Sequence, residues 1–267
     1  MEKEIVENEK EVLMNFLSFP LVSTNPILEK FSKLDGAIIH KDRDKKAFIY
    51  VPGSRKDRVV LVAHCDTVWD SYYDSDLPDP SQGETSASFS PLNHKPVEVD
   101  GIIKQGGSPK VGIGADDRCG CAMLWLLRNS GHSLLICDGE ECGEIGSCYL
   151  IDNFPDLCAE LNDHCYFLEL DHPGKTSFLT CGLPVTDEFC SYLTEQIGFQ
   201  NDGSNSKTDI IDLCRRICGA NLTVGYYKLH SKDEYVVYDE WLHTLQVVRI
   251  LLQKEQPKFL LKYLYYD

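Results

Sequence analysis

Two histidines and a set of carboxylates fall just beyond short apolar runs in this 267-residue chain. His64 and Asp66 follow the run 59–63, and Glu140 and Glu141 lie within three residues of the run 133–137. Asp171 follows 164–170 directly, and His230 follows 221–226. Asp116 and Asp117 come after Gly112-Ile113-Gly114 and open a helical pattern. Taken singly, each is ordinary: an edge histidine, acids favoured at a helix start, a solvated turn. Together they matter because ligands of open α/β sheets bind beyond the carboxyl ends of the strands. Two imidazoles and several carboxylates, without clustered Lys or Arg, suit a divalent metal ion and not a phosphate.

The elements that must deliver them read as an alternation. Helical spacing of apolar residues marks 2–18, 26–34, a segment from 115 to about 128, 144–153, 186–197, 208–218 and 238–254. Extended runs mark 37–40, 47–51, 59–63, 133–137, 164–170, 176–181 and 221–226, and Val59-Val60-Leu61-Val62-Ala63 has the unbroken β-branched character of a buried parallel strand. Strands alternating with helices predict an α/β fold: a three-layer αβα sandwich around a mainly parallel mixed sheet, as one domain over 1–267. Residues 70–96, rich in Asp, Ser and Pro, read as a long loop on the active-site side.

Composition narrows the function. There are 26 Lys+Arg against 42 Asp+Glu, a net charge of −16, which argues against nucleic-acid and anionic-membrane surfaces. The amino-terminal stretch lacks the apolar core of a secretory signal, and no run is apolar enough to span a bilayer, so a cytoplasmic location is expected. Twelve cysteines in such a chain read as reduced, mostly buried packing residues, because no paired CxxC framework exists. Cys65 is expected to point away from the His64 side.

His64-Cys65-Asp66-Thr67-Val68, Gly114-Ala115-Asp116-Asp117-Arg118-Cys119-Gly120, Glu140-Glu141-Cys142-Gly143-Glu144-Ile145-Gly146-Ser147, Glu169-Leu170-Asp171 and Tyr226-x3-His230-Ser231-x2-Glu234 resemble the successive motifs of the co-catalytic di-zinc exopeptidases. That clan includes leucine-type aminopeptidases, peptidase T-like tripeptidases and acetylornithine-deacetylase-like enzymes. The resemblance implies His64 and Asp171 on one metal, Glu141 and His230 on the other, and Asp116 bridging. It further implies Glu140 as general base, Asp66 as the acid behind His64, and a cis peptide between Asp116 and Asp117. Two divalent ions, zinc being the expected ion, are the implied cofactors. The implied partner is a peptide or small amide substrate.

The chain departs from the lidded members of that clan, which insert about a hundred residues between the positions matching Asp171 and His230. Here only 59 positions separate the two, so the resemblance implies a form without the lid. The expected activity is aminopeptidase action on short peptides. Alternatives are a di-zinc amidohydrolase, deacylase or carboxypeptidase-like enzyme, and a non-catalytic binding module. Asp117, Glu144, Asp209 and the acids of 70–79 are open choices for holding a substrate ammonium. Tyr72, Tyr73, Tyr226 and Tyr227 are candidates for a side-chain pocket.

Overall fold

The computed structural model describes residues 8–42, 47–69, 94–107, 110–203 and 205–262. Its centre is an eight-stranded mixed sheet in the order β1-β2-β6-β3-β7-β10-β8-β9. The strands are β1 (Ile38–Lys41), β2 (Ala47–Val51), β3 (Val60–His64), β6 (Ser133–Cys137), β7 (Phe167–His172), β8 (Ser177–Leu179), β9 (Gln200–Asn201) and β10 (Gly219–Thr223). β6, β3, β7 and β10 run parallel side by side, so their carboxyl ends share one edge. The ladder pairing His64 with Cys137 brings the ends of β3 and β6 level. Antiparallel β1 and β2 extend one flank, and β8 the other.

Every residue of β2, β3, β6 and β10 is buried, as a sheet covered on both faces requires. One apolar layer gathers Leu13, Phe16, Leu61, Cys119, Leu124, Leu168, Trp241 and Leu245. It is supplied by α1 (Glu9–Leu17), α2 (Asn25–Phe31), α3 (Ala115–Leu127), α6 (Asp187–Ile197) and α8 (Tyr238–Leu252). The opposite layer centres on Tyr50, Val62, Leu135, Phe167 and Leu213, under α4 (Ile145–Asn153), α5 (Pro155–Leu161) and α7 (Asp209–Leu213). The expected αβα sandwich is therefore observed. All twelve cysteines are free, eight buried and four half-buried.

Several sequence expectations change. A second, antiparallel sheet was not anticipated: β4 (Pro96–Val99) pairs with β5 (Ile102–Gln105), β5 with β12 (Tyr235–Val237), and β12 with β11 (Tyr226–Tyr227). β4 and β5 form a hairpin about Asp100-Gly101, both at positive φ, a local turn signal that reading 70–96 as loop passes over. The single strand expected over 221–226 is instead β10, a turn at Val224-Gly225, and β11 in the other sheet. The helix expected over 208–218 is helical only over Asp209–Leu213, and α5 begins on Pro155 without having been foreseen. Residues 70–93 of the expected loop, with Tyr72, Tyr73 and the acids of 70–79, lie outside the described residues. None of the described helices is long and apolar enough to cross a membrane.

Candidate active site

His64 is the last residue of β3 and is wholly buried. Its Nδ1 lies 3.2 Å from Asp66 Oδ1, and its Nε2 lies 3.0 Å from Asp116 Oδ1 and 3.5 Å from Asp171 Oδ1. A carboxylate on Nδ1 fixes the tautomer that leaves Nε2 free to bind. Burial alone would make His64 harder to protonate. The charge of Asp171 and the hydrogen bonds to Asp116, Asp171 and Asp66 outweigh that and raise its pKa well above the usual value.

Asp66 does more than face the imidazole. Its Oδ1 also accepts from the Glu140 amide at 3.1 Å, and its Oδ2 accepts from the Glu141 amide at 3.2 Å. Burial acts to raise this carboxyl, but His64 and the backbone amides prevail and hold it below the usual range. The Glu140–Cys142 turn that it holds is a single 3₁₀ turn between Gly139 and Gly143, both left-handed at φ 83° and 93°. That turn projects two adjacent acids over the sheet edge. Glu141 Oε2 sits 3.0 Å from His230 Nε2, while Glu140 Oε2 lies 3.9 Å from His64 Nε2.

Asp116 stands between the two histidines, with Oδ2 3.2 Å from His230 Nε2. The peptide joining it to Asp117 is cis. Neither acid has helical backbone angles, so they do not form the first helical turn suggested by their position in sequence. Asp117 instead caps the helix: its Oδ1 accepts from the Gly120 amide at 2.8 Å and its Oδ2 from the His64 amide at 3.3 Å. With both oxygens committed and the side chain fully buried, Asp117 is no candidate for a substrate ammonium.

Asp171 occupies an irregularity in the β7–β10 ladder, where the register shifts between Asn221 and Thr223. The Asn221 side chain replaces the interrupted ladder, accepting from the Asp171 amide at 2.9 Å and donating to its carbonyl at 3.2 Å. Such irregularities re-aim a side chain beside functional sites. The Tyr226 hydroxyl donates to Asp171 Oδ1 at 3.3 Å. Tyr226 is thus a buried support for a site carboxylate, and Tyr227, stacked on Tyr235 and bonded to Glu240, is equally occupied. Asp209 is fully buried and bonded to the Ser147 hydroxyl; of the ammonium candidates within the described residues, only Glu144 keeps partial exposure.

His230 approaches from the β11–β12 connection of the second sheet, with φ 57° and a half-exposed ring. Hydrogen bonds to Asp116 and Glu141 raise its pKa to about 10. Burial and the charge of Asp116 lift Asp171 to about 7. Burial is also the main cause lifting Glu140 to about 11, opposed by His64 and assisted by Asp171, Asp209 and Asp116. The chain has concentrated more negative charge than it neutralises.

Two groups result, each with its potential ligand atoms within 4.8 Å of one another: His64, Asp116 and Asp171, and Asp116, Glu141 and His230. Asp116 belongs to both through different oxygens. Glu141 Oε1 is buried without a hydrogen-bond partner, as expected of a carboxylate oxygen shaped for a cation. The mixed imidazole and carboxylate donors of these groups are of a kind that holds divalent metal ions. Three supports take roles that the sequence does not give them: Asn221; Tyr226, a pocket candidate by sequence; and Glu234, which stands in the His230 motif without a role. Each is a common residue type whose partner is a backbone group or a distant side chain, so spacing alone does not reveal it.

Comparison with known proteins agrees at the level of fold. An aminopeptidase PepT from Bacillus cereus superimposes with a TM-score of 0.62 at 14% identity, covering 92% of this chain and 98% of the other. A tripeptidase from Staphylococcus aureus gives the same values. The TET1 peptidase of Pyrococcus horikoshii, which assembles into a tetrahedron or an octahedral shell, gives 0.59 at 13% identity, covering 92% and 99%. No protein-family model and no curated protein sequence matches the chain.

Proposed function

We propose that this chain is a metal-dependent exopeptidase, a di-zinc aminopeptidase acting on short peptides. The observation that carries the reading is the pair of three-ligand groups sharing Asp116, with Glu140 beside them but outside both. The aminopeptidases and tripeptidase among the similar folds support it.

His64 and Asp171 would hold one ion, Glu141 and His230 the other, and Asp116 both. Ions held there would acidify a water, polarise the scissile carbonyl and supply the positive charge that the carboxylates lack. Glu140 takes the proton from the attacking water and returns it to the departing amine. Asp66 orients His64 and, through two backbone amides, sets the height of Glu140 and Glu141 together. His64, Asp66, Asp116 and Asp171 are buried, which limits competition from bulk water at that end of the site.

A free amino terminus is the substrate feature this acidic chain is suited to hold, since a net charge of −16 favours a cation near the site. The test combines metal analysis with kcat/KM for a dipeptide, its N-acetyl form and its C-terminal amide. Two ions per chain and activity abolished by chelation are expected. Acetylation should cost tenfold or more and amidation little, a difference of about 1.4 kcal/mol in transition-state binding. Tolerance of acetylation with loss on amidation would assign the centre to an amidohydrolase or carboxypeptidase. A chain that binds no metal and turns over no amide would be a binding module.

A further inference from the structure

Glu234 follows His230 by four residues but turns away from the ring, into the loop ahead of Asp116. Its side chain is almost completely buried. One oxygen, Oε2, accepts from the Ile113 amide at 2.9 Å and the Gly114 amide at 2.7 Å. The other, Oε1, accepts from the Asp116 amide at 3.2 Å. Three backbone donors converging on one carboxylate form an anion nest, used here internally and not for a ligand. Gly112 makes room for it, because a Cβ there would lie 2.5 Å from Glu234 Oε2 and 2.7 Å from the Ser231 carbonyl.

This contact ties together two segments of the site that are far apart in sequence. The β11–β12 connection carries His230, and the 112–116 segment carries Asp116. His230 Nε2 and Asp116 Oδ2 are only 3.2 Å apart, so their spacing depends on how these two loops are held against each other. We infer that Glu234 is a positioning residue that holds the bridging Asp116 in register with His230, and so sets the affinity for both metal ions. The inference rests on the proposed two-metal reading, but its structural half, the amide nest, does not.

Glu234→Gln is the discriminating variant. An amide has one acceptor oxygen, so the favoured orientation serves Ile113 and Gly114 and turns the NH2 group toward the Asp116 amide, donor against donor. Two measurements follow. In the metal-free protein, amide hydrogen exchange at Asp116 should accelerate at least tenfold while exchange in β3 and β6 is unchanged. In zinc titrations, affinity at both sites should fall about ten- to a hundredfold, the usual effect of losing a supporting partner. Glu234→Asp keeps the charge and both acceptor oxygens, and should recover part of the affinity lost in Glu234→Gln.

Unchanged exchange at Asp116 overturns the nest. Faster exchange with unaltered zinc affinity overturns the positioning role, as does loss at one site only. A wild-type chain that binds no zinc, while its Asp116 amide is protected, overturns the two-metal reading and the positioning role with it, leaving the nest as architecture.

Discussion

Replacing Glu140 by Gln separates proton transfer from metal binding more cleanly than any other change in this site. Glu140 Oε2 is 3.9 Å from His64 Nε2, and the residue belongs to neither three-ligand group. Its neighbour Glu141 sits 3.0 Å from His230 Nε2, so the pair divides into one ligand and one acid without a metal to hold. A positioned general base contributes about 10²–10⁴-fold, or roughly 2.7–5.5 kcal/mol at about 1.36 kcal/mol per tenfold. Glu140→Gln should therefore lower kcat at least about a hundredfold. Stability should hardly change. In the metal-free protein, burial and the surrounding acids push the carboxyl up to about 11, so near neutrality it is protonated and an amide of the same shape replaces it without loss of charge. The assay is steady-state turnover on a leucyl amide with metal content measured on the same sample, beside a thermal melt of the metal-free form. A metal-replete Glu140→Gln protein with kcat within tenfold of wild type would refute the base assignment. Loss of an ion would instead show Glu140 to be a ligand.

Three further outcomes follow from the same geometry. Asp116→Ala should lose both ions to elemental analysis, since its two oxygens face His64 and His230 separately; retention of one ion would show that the carboxylate does not bridge. Hydrogen bonds to Asp116 and Glu141 raise His230 to about 10, and burial with Asp116 raises Asp171 to about 7. Both groups hold protons in the folded chain that the unfolded chain releases near pH 6.5 and 3.9 respectively. Stability of the metal-free protein should therefore fall as pH rises from about 4 to 7 through Asp171, and from about 6.5 to 10 through His230. Saturating zinc should flatten that slope, and calorimetry in buffers of different ionisation heat should register proton release on loading. Gly120→Ala should destabilise by about 3 kcal/mol or more on thermal or urea unfolding, because its Cβ would meet the Leu170 carbonyl at 2.1 Å and the Asp117 carboxylate at 2.4 Å; a near-wild-type melt would show the α3–β7 contact to be looser than described.

The residues of this chain determine a good deal unaided. Continuous β-branched and apolar runs such as Val60–Ala63 can only be buried on both faces, so the central parallel strands and the acids placed just after them are legible without coordinates. The motif set around His64, Asp116, Glu140, Glu141, Asp171 and His230 is likewise local, each piece tied to the end of its own element. What tertiary structure decided is everything that depends on a partner distant in sequence. β4 and β5 pair locally as a hairpin, but their place in a second sheet is set only when β5 pairs with β12, more than a hundred residues away. Asp117, an open choice for binding a substrate amine, is spent on a helix cap and the His64 amide. Asn221 looks like an ordinary polar residue, and Glu234 has a motif position but no role, until the fold sets them against backbone amides of other loops. Hydrophobic periodicity records which face of an element is buried, but a hydrogen bond between loops leaves no period, and only the assembled chain shows it.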